Sequence, residues 1–323
     1  RSWALCKIQR SLQGSAFACQ ESEGKRICWY GSEPHEGFDV CADDHCQRYQ
    51  GLRAKDHKNA VKAVNETKGL ILAYKENPTP NSSLLTPNSD YEICDARFYK
   101  CCGGVTEEFE SCWEDTHFDY LVKVEDFPKE RRNDLTTEEN ANRALRQAQG
   151  PMNLTTEEGA RKWIMSNPDA FCNTNDKKIL NQVLNDYDQE TIDFYRWKVS
   201  YSAQELSELI LKKSGINFGK IIDIIPLKRG VSGRIYELKI VGENENIIIG
   251  KELEIRKWLS NSHLYSSAFV VEKDGDTFTL YGAGWGHGVG LCQIGAAVMA
   301  EKGYTYKEIL QHYYPNTILY EQL

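Results

Sequence analysis

Apolar residues recur at helical spacing in one early segment and form a continuous run directly after it. The segment KDHKNAVKAVNETKG places Val61 and Val64 on one side and ends at Gly69, a residue type that favours helix ends. The run LILAY at 70–74 is typical of a strand. ICDARFYKC, at 93–101, predicts a further strand that leads into the loop CCGGVTEEFESCWED. This part of the chain therefore indicates mixed helices and strands with long loops.

The last third of the chain returns to the same mixture. YRWKVSYS, RIYELKIVG and NIIIG predict strands, and AFVVEKDGDTFTLYG contains the hairpin signal Asp274-Gly275. Two capping boxes, in which a hydroxyl residue is followed three positions later by a glutamate, predict helix starts. They are Ser202 with Glu205, before AQELSELILKKSG, and Thr305 with Glu308, before YKEILQHYY.

The charged middle of the chain, 126–194, contains the pentapeptide LTTEE twice. Each copy predicts a capping box, Thr136 with Glu139 and Thr155 with Glu158. Because both copies carry helix-start chemistry, we interpret them as two short helices and not as an internal repeat. The region is predicted to be a helical insertion.

Composition narrows the class of protein. The chain has 323 residues and a formal charge of −8, without a basic stripe, which argues against nucleic-acid binding. Its first residue, Arg1, lies within a helix-like pattern, so we expect sequence upstream of it. Eleven cysteines, an odd number, favour either disulfides in an oxidising compartment or a metal site.

One loop concentrates potential metal ligands. DVCADDHCQRYQG holds Cys41, His45 and Cys46 within six residues, and two thiolates with an imidazole suit zinc. The alternative is a disulfide or two buried thiols. Additional ligands would come from His35 or the Cys101-Cys102 pair.

The stretch GAGWGHGVGLCQIG places Trp285, His287 and Val289 between glycines, before a helix predicted from about Leu291. The spacing does not match a dinucleotide fingerprint or a phosphate loop, and the chain contains no H-E-x-x-H. One interpretation is a groove in which backbone N–H groups, an aromatic ring and a histidine face a sugar polymer. The other is a tight strand-to-helix turn with a structurally hydrogen-bonded His287.

The chain resembles the SpoIID/LytB domain family, the family of stage II sporulation protein D and amidase enhancers. GWGHGVGLCQIGAAVMAEKGYTYKEILQHYYPNT is similar to its closing signature, and RGVSGRIYELKIVG and KELEIRKWL to the segments before it. RSWALCKIQ resembles the end of its first helix. GLILAY with ICDARFYKCCGGVTEEFESCWED resembles its middle block. These segments occur in the same order as in the family and cover almost the whole chain, apart from residues 75–92 and 126–194.

The resemblance implies an α+β fold, a SpoIID-like domain whose N-terminal and C-terminal parts are 1–125 and 195–323, with the helical insertion 126–194 between them. We expect the loops Gly103–Trp113 and Gly284–Gln293 to meet at one groove. The substrate-binding candidates in these loops are Gly103, Gly104, Thr106, Trp113, Trp285, Gly286, His287, Gly288 and Gln293.

The function that the resemblance implies is peptidoglycan cleavage. Sporulation members of the family are lytic transglycosylases of glycan strands that lack stem peptides, and zinc is associated with their Cys…His-Cys stretch. Their catalytic Glu would lie upstream of Arg1, so the candidates within the chain are Glu107 and His287, with Glu108, Glu114 and Asp115 as the other nearby carboxylates. Cys101-Cys102 departs from the small polar residues that the family shows there.

The alternative function is a non-catalytic glycan-binding module or amidase enhancer, whose partners would be glycan strands and a cell-wall amidase. Either function predicts an extracytoplasmic location in a bacterium. A third and weaker hypothesis, motivated by cysteine number alone, is a cytosolic zinc protein.

Overall fold

The computed structural model describes residues 17–30, 57–75, 91–127, 152–184 and 193–321. The helices there are α1 His57–Glu66, α2 Glu157–Met165, α3 Lys177–Val183, α4 Ala203–Ser214, α5 Glu252–Trp258, α6 Gln293–Glu301 and α7 Tyr306–Tyr313. The strands are β1 Phe17–Ser22, β2 Lys25–Tyr30, β3 Leu70–Tyr74, β4 Glu92–Ile93, β5 Phe98–Tyr99, β6 Arg196–Ser202, β7 Ile221–Arg229, β8 Ile235–Gly242, β9 Asn246–Gly250, β10 Phe269–Asp274, β11 Thr277–Ala283, β12 Leu291–Cys292 and β13 Thr317–Glu321. The mixture confirms the α+β class.

The strands of the described residues form several small sheets instead of one large one. A five-stranded sheet has the order β1-β2-β9-β8-β7, and a three-stranded sheet the order β10-β11-β6. A second three-stranded sheet has the order β13-β3-β4, and β12 pairs with β5 in parallel. The five-stranded sheet is antiparallel except where β2 meets β9. A disulfide joins Cys19 to Cys28, which lie directly opposite each other in β1 and β2.

Local sequence signals predicted several elements correctly. LILAY forms β3, and both capping boxes of the last third begin helices, at α4 and α7. The α4 helix ends at Gly215 in the left-handed conformation, at φ 74°, as a helix C-terminus favours. The Asp274-Gly275 turn joins β10 to β11. These signals act within a few residues, so the sequence alone carries them.

Three local predictions were wrong. The segment ICDARFYKC forms two short strands, β4 and β5, instead of one. The helix after the glycine-rich stretch begins at Gln293, because the preceding residues pair as β12. The N-cap of α2 is Thr156, which accepts a hydrogen bond from Gly159 N, while Thr155 binds the side chain of Asn153. The first LTTEE copy lies outside the described residues.

The two larger of the three buried clusters in the described residues contain most of the core. One lies between β6–β9, β11, α4 and α5 and includes Leu206, Ile240, Trp258 and Phe278. The other combines residues from the middle region, such as Phe171, with loop residues such as Phe109 and C-terminal residues such as Tyr313. Trp197 lies in the first cluster, and Tyr313 and Tyr314 lie in the second.

The division of the chain into three parts stays a prediction. Two helices of the middle region, α2 and α3, contact β10 and α6 respectively. Within the ranges that the structure describes, every helix falls short of the length or apolarity that a bilayer crossing requires.

Candidate functional site

The two loops predicted to meet are paired through their backbones. Cys101 and Trp285 exchange both hydrogen bonds, with N···O distances of 3.0 and 2.7 Å. Further along, Glu107 N donates to Gly288 O at 2.7 Å. The Sγ of Cys112 also lies 3.4 Å from His287 O. The loop after β5 and the loop after β11 therefore form one surface.

The alternating glycines make room for buried groups of the protein itself. A Cβ on Gly288 would lie 2.4 Å from the guanidinium carbon of Arg234, and one on Gly286 would lie 2.9 Å from Tyr99 Cβ. A Cβ on Gly103 would lie 2.9 Å from the backbone nitrogen of Gly284. Since Arg234 is only 1% exposed, the glycines here serve interior packing rather than access for a ligand.

Glu107 is buried and fully hydrogen-bonded, contrary to an exposed loop charge. Its Oε1 accepts from the backbone N–H groups of Glu108 and Val231, at 2.9 and 3.0 Å, and from the hydroxyl of Ser111 at 3.3 Å. Its Oε2 accepts from N and Oγ of Ser232, at 3.1 and 2.6 Å. Five donors occupy the lone pairs that a carboxylate offers.

The electrostatics of Glu107 follow from the same contacts. Burial raises the pKa of its carboxyl, while the hydrogen bonds from Ser232 and Glu108 and the charge of Arg234 act in the opposite direction. Arg234 in turn donates to Ser232 Oγ at 2.9 Å and to Gly286 O at 3.2 Å. Glu107 therefore links its own loop to the turn at Val231 and Ser232, and Arg234 links that turn to Gly286 of the other loop.

His287 is held by both ring nitrogens. Its Nδ1 accepts from Val289 N at 3.1 Å, so its Nε2 is the protonated nitrogen and donates to Phe98 O at 3.1 Å. Burial, with the charges of Arg97, Arg256 and Arg234, lowers the pKa of His287 well below its usual value. The structural interpretation of this residue fits its contacts: it is a neutral imidazole that fastens a strand-to-helix turn.

The other predicted binding residues divide into buried and surface groups. Thr106 is fully buried, and its hydroxyl bonds Val122 O and Val124 N. Trp113 is half-buried against Phe109, with Arg97 over its ring at 3.8 Å. The half-buried ring of Trp285 carries Lys100 Nζ at 4.2 Å.

The remaining predicted residues lie near the same turn. Gly104 faces the Trp163 ring, where an added Cβ would lie 2.7 Å away. Gln293 is half-buried at the start of α6. Glu114 and Asp115 follow Trp113 in the same loop, and Glu108 is half-buried with a pKa that burial and its neighbour Glu107 raise.

A groove of about 430 Å³ lies beside the paired loops, where sequence reasoning did not place it. Its floor is Trp197, whose indole N–H donates to Gly284 O at 3.1 Å. One wall contains Arg196, which donates to Gly103 O at 3.0 Å. The complete lining is Ile164, Met165, Ser166, Asn167, Asp193, Arg196, Trp197, Lys198, Tyr281 and Gly282.

Trp285 is connected to this groove through one aromatic neighbour. The ring of Tyr265 makes an edge contact with Trp285 at 5.5 Å between centroids, and its hydroxyl lies 3.3 Å from Asp193, a groove residue. The groove is therefore next to Trp285, which the sequence analysis predicted to bind substrate. Its residues come from α2, β6 and β11, which have no shared motif.

Behind the paired loops, a second set of side chains converges from separate parts of the chain. One ligand atom from each of Cys102, Asp126, Cys172 and Cys292 lies within 4.8 Å of all the others, and every one of these residues is buried. The Sγ atoms of Cys102 and Cys172 are 3.3 Å apart. We call this set the cysteine–aspartate cluster. Its donor atoms suit a thiolate-preferring metal such as zinc.

The polar groups of the protein that face this cluster are mostly donors. Backbone N–H groups of Cys102 and Gly295 point at Cys292 Sγ, at 3.3 and 3.4 Å. Asp126 accepts from Cys172 N at 2.8 Å and from the hydroxyl of Tyr313. The hydroxyl and N–H donors orient the carboxylate toward the thiols.

The pKa of the Cys292 thiol is shifted in the opposite direction from the pKa values of Cys102 and Cys172. Burial raises the pKa values of Cys102 and Cys172 well above normal. Burial acts the same way on Cys292, but hydrogen bonds from the neighbouring thiols and from Gly295 N lower its pKa well below normal. Burial and the charge of Cys292 raise the pKa of Asp126 to about 7.

The predicted zinc loop with Cys41, His45 and Cys46, and its additional candidate His35, lie outside the described residues and stay predictions. The Cys101-Cys102 pair, predicted as an additional ligand source for that loop, lies instead beside Cys172 and Cys292.

Comparison with known proteins defines the family. Residues 107–290, more than half of the chain, match the family described as Domain of unknown function (DUF8618), and residues 1–74 match the family described as Stage II sporulation protein. The chain belongs to the DUF8618 family, and its first 74 residues are similar to the Stage II sporulation protein family. The resemblance inferred from the sequence motifs is thereby confirmed.

Two curated relatives of this chain come from Bacillus subtilis (strain 168). "Amidase enhancer" is 41% identical over 66 residues, which are 20% of this chain and 9% of that protein. "Stage II sporulation protein D" is 38% identical over 89 residues, 26% of either chain. The matched segments thus span only 9% and 26% of the lengths of these two relatives.

Sequence reasoning missed the groove and the cluster for the same reason. Both sites are assembled from single residues in distant segments, such as Cys172 and Cys292, without the spacing that marks a motif. The available signal was weak. It consisted of Cys172, a lone cysteine in the charged middle of the chain, and Cys292, a cysteine next to a predicted helix start.

Proposed function

We propose that this chain acts on the bacterial cell wall, outside the cytoplasm, by binding the glycan strands of peptidoglycan. The observation that carries the proposal is the groove beside the paired loops. Its volume of about 430 Å³ falls in the range of small-molecule sites, roughly 300–1,000 Å³. The family membership and the names of the relatives agree with a cell-wall role.

The chemistry of the groove suits a sugar polymer. The Tyr281 ring and the side chain of Met165 give apolar surface for the faces of sugar rings. Exposed Asn167, Asp193 and Lys198 surround it with hydrogen-bonding groups. A cation at Lys198 complements the carboxylate that a muramic acid without a stem peptide would present.

Lytic transglycosylase-like cleavage is the reaction that we infer for this site. It needs a carboxylic acid that protonates the glycosidic oxygen and then accepts a proton from the C6 hydroxyl. Glu107 and His287 are fully hydrogen-bonded within the protein. An acid other than Glu107 must therefore act, and Glu107 holds the loops in place.

Binding is tested by co-sedimentation with purified peptidoglycan. We expect Tyr281→Ala and Lys198→Ala each to weaken binding several-fold, since both side chains line the groove. Tyr306→Ala is the control, because Tyr306 is an exposed aromatic outside the groove. Equal retention of all three variants by the sediment would rule out the groove as the binding site.

Cleavage is tested separately by mass spectrometry of the digested glycan. Anhydro-sugar ends support the transglycosylase reaction, and Glu107→Gln protein that remains folded should still produce them. If binding occurs without any such ends, the proposal is reduced to a glycan-binding module.

The second candidate function is stimulation of a cell-wall amidase, which is favoured by the relative named "Amidase enhancer". Its test is the rate of peptide release from peptidoglycan by a purified amidase, with and without this chain. A rate that does not change with added chain would exclude it.

A further inference from the structure

We propose that the cysteine–aspartate cluster is a structural metal site that holds one zinc ion through Cys102, Asp126, Cys172 and Cys292. The proposal is independent of the glycan-binding function. It also differs from the zinc loop predicted at Cys41–Cys46, because none of its ligands lies in that loop.

The distances fit a tetrahedral ion. Zinc lies about 2.3 Å from a thiolate sulfur, which places two sulfurs of one tetrahedron roughly 3.8 Å apart. The four donor atoms here lie within 4.8 Å of one another, and two of the sulfurs are 3.3 Å apart. Small rotations of the side chains are enough to bring all four atoms to coordination distance.

The composition of the cluster argues against a simple disulfide. A Cys102–Cys172 bond would use two of the four groups and leave the Cys292 thiol facing the carboxylate of Asp126 in the interior. That carboxylate is fully buried, and its ionised form requires a counter-charge or a metal. The hydroxyl of Tyr313 and the N–H of Cys172 bind it, but neither carries positive charge.

The surroundings resemble the outer shell of a metal centre. Backbone N–H groups point at the sulfurs of Cys102 and Cys292, as they do where thiolate charge must be stabilised. Cys292 is also the N-cap of α6, so the positive end of the helix dipole adds to the effect. Tyr313 and Cys172 N fix the carboxylate, and such second contacts orient ligands at metal sites.

Gly295 permits this arrangement. A Cβ there would lie 2.6 Å from Asp126 Oδ1, so only glycine lets the carboxylate approach the first turn of α6. Upon coordination, the thiols of Cys102 and Cys172 release their protons to solvent, and all three sulfurs bind as thiolates. The ligands come from the loop after β5, from two separate positions of the middle region and from the residue before α6. The ion would therefore tie these three parts of the chain together.

The test uses the full chain without a histidine tag, with Cys41 and Cys46 both changed to Ser so that the predicted loop contributes no metal. We expect this background protein to retain about one zinc ion per chain. Cys172→Ser and Cys292→Ser, added separately, should lose it. Cys94→Ser is the matched control, because Cys94 is equally buried and lies outside the cluster.

A second measurement needs no change in the core. Cobalt(II) added to the chelator-treated background protein should give the near-ultraviolet absorption of thiolate-to-metal charge transfer. Metal content that is unchanged in Cys172→Ser and Cys292→Ser would overturn the proposal. So would cobalt without this band, or a Cys102–Cys172 disulfide in the non-reduced digest of freshly purified protein.

Discussion

The Glu107 site and the cysteine–aspartate cluster both include residues of the loop after β5, and the two sites accommodate a buried carboxylate differently. Glu107 receives five hydrogen bonds and has Arg234 nearby as a counter-charge. Asp126 receives one N–H and one hydroxyl and faces thiols. The first arrangement is complete with protein atoms alone, whereas the second gains a counter-charge only from a ligand.

This difference shows that a carboxylate beside a glycine-rich family motif can have a structural role and need not be the catalytic acid. Proximity to a motif made Glu107 the leading acid within the chain, but its contacts identify it as a cross-link. Asp126, which no motif marked, has the environment that functional carboxylates more often show.

The largest effect is expected when the charge of Glu107 is removed by substitution. We expect Glu107→Gln to lower the free energy of unfolding by about 3–5 kcal/mol, because it leaves Arg234 buried without its counter-charge. Urea denaturation followed by circular dichroism measures this. The control is Glu108→Gln at a half-exposed position, with an expected change within about 0.5 kcal/mol. Equal effects would mean that Glu107 is not a cross-link.

The next test addresses the other partner of the pair. Gly288→Ala would place a methyl group 2.4 Å from the Arg234 guanidinium. Gly303 has the same φ of 89° and nothing within 4 Å of an added Cβ, so Gly303→Ala measures backbone strain alone. We expect Gly288→Ala to cost about 1–3 kcal/mol more than this control. If the two variants unfold at the same urea concentration, the close packing of Arg234 is unimportant for stability.

A pH series extends the comparison to His287. Its folded pKa lies well below the ordinary 6.5, so the unfolded chain binds the extra proton first and stability falls as pH decreases below 6.5. The limiting loss is about 1.4 kcal/mol per pH unit. We expect His287→Gln to reduce the dependence of the free energy of unfolding on pH below 6.5. His117→Gln, at an exposed histidine, should leave that dependence unchanged. An unchanged slope in His287→Gln would assign the loss to other groups.

The smallest effect is expected at the cluster when metal is removed. In chelator-treated protein, Cys172→Ala should cost only about 1 kcal/mol, the usual value for a point substitution. In untreated protein the loss should be larger, because bound metal adds its binding free energy to folding. Identical losses with and without chelator would show that the cluster stabilises the protein through packing alone.

The sequence predicted what neighbouring residues determine and failed where distant segments meet. Ser202 with Glu205, and LILAY as a strand, depend on contacts a few residues long. In α2 the tandem Thr155-Thr156 offered two possible caps, and local chemistry did not distinguish them. Family resemblance correctly indicated that the two loops belong together.

Contacts across the chain had no local signal. Glu107 is bound by Ser232, 125 positions away, so burial of this acid was not predictable from its own loop. The glycines of the closing signature suggested an open groove, but the side chain that fills the space is Arg234, from another segment. The same holds for Cys102 and Cys292, which are separated by 190 positions.

That separation has a consequence for the order of folding. Loop closure over such a span carries a large entropic cost, and contacts between distant segments slow folding. A ribosome that has released Cys102 must add a further 190 residues before Cys292 exists to meet it. Until then the buried thiols stay exposed to the surroundings. We therefore expect truncation before α6 to abolish the native loop pairing altogether, instead of trimming one edge of the molecule.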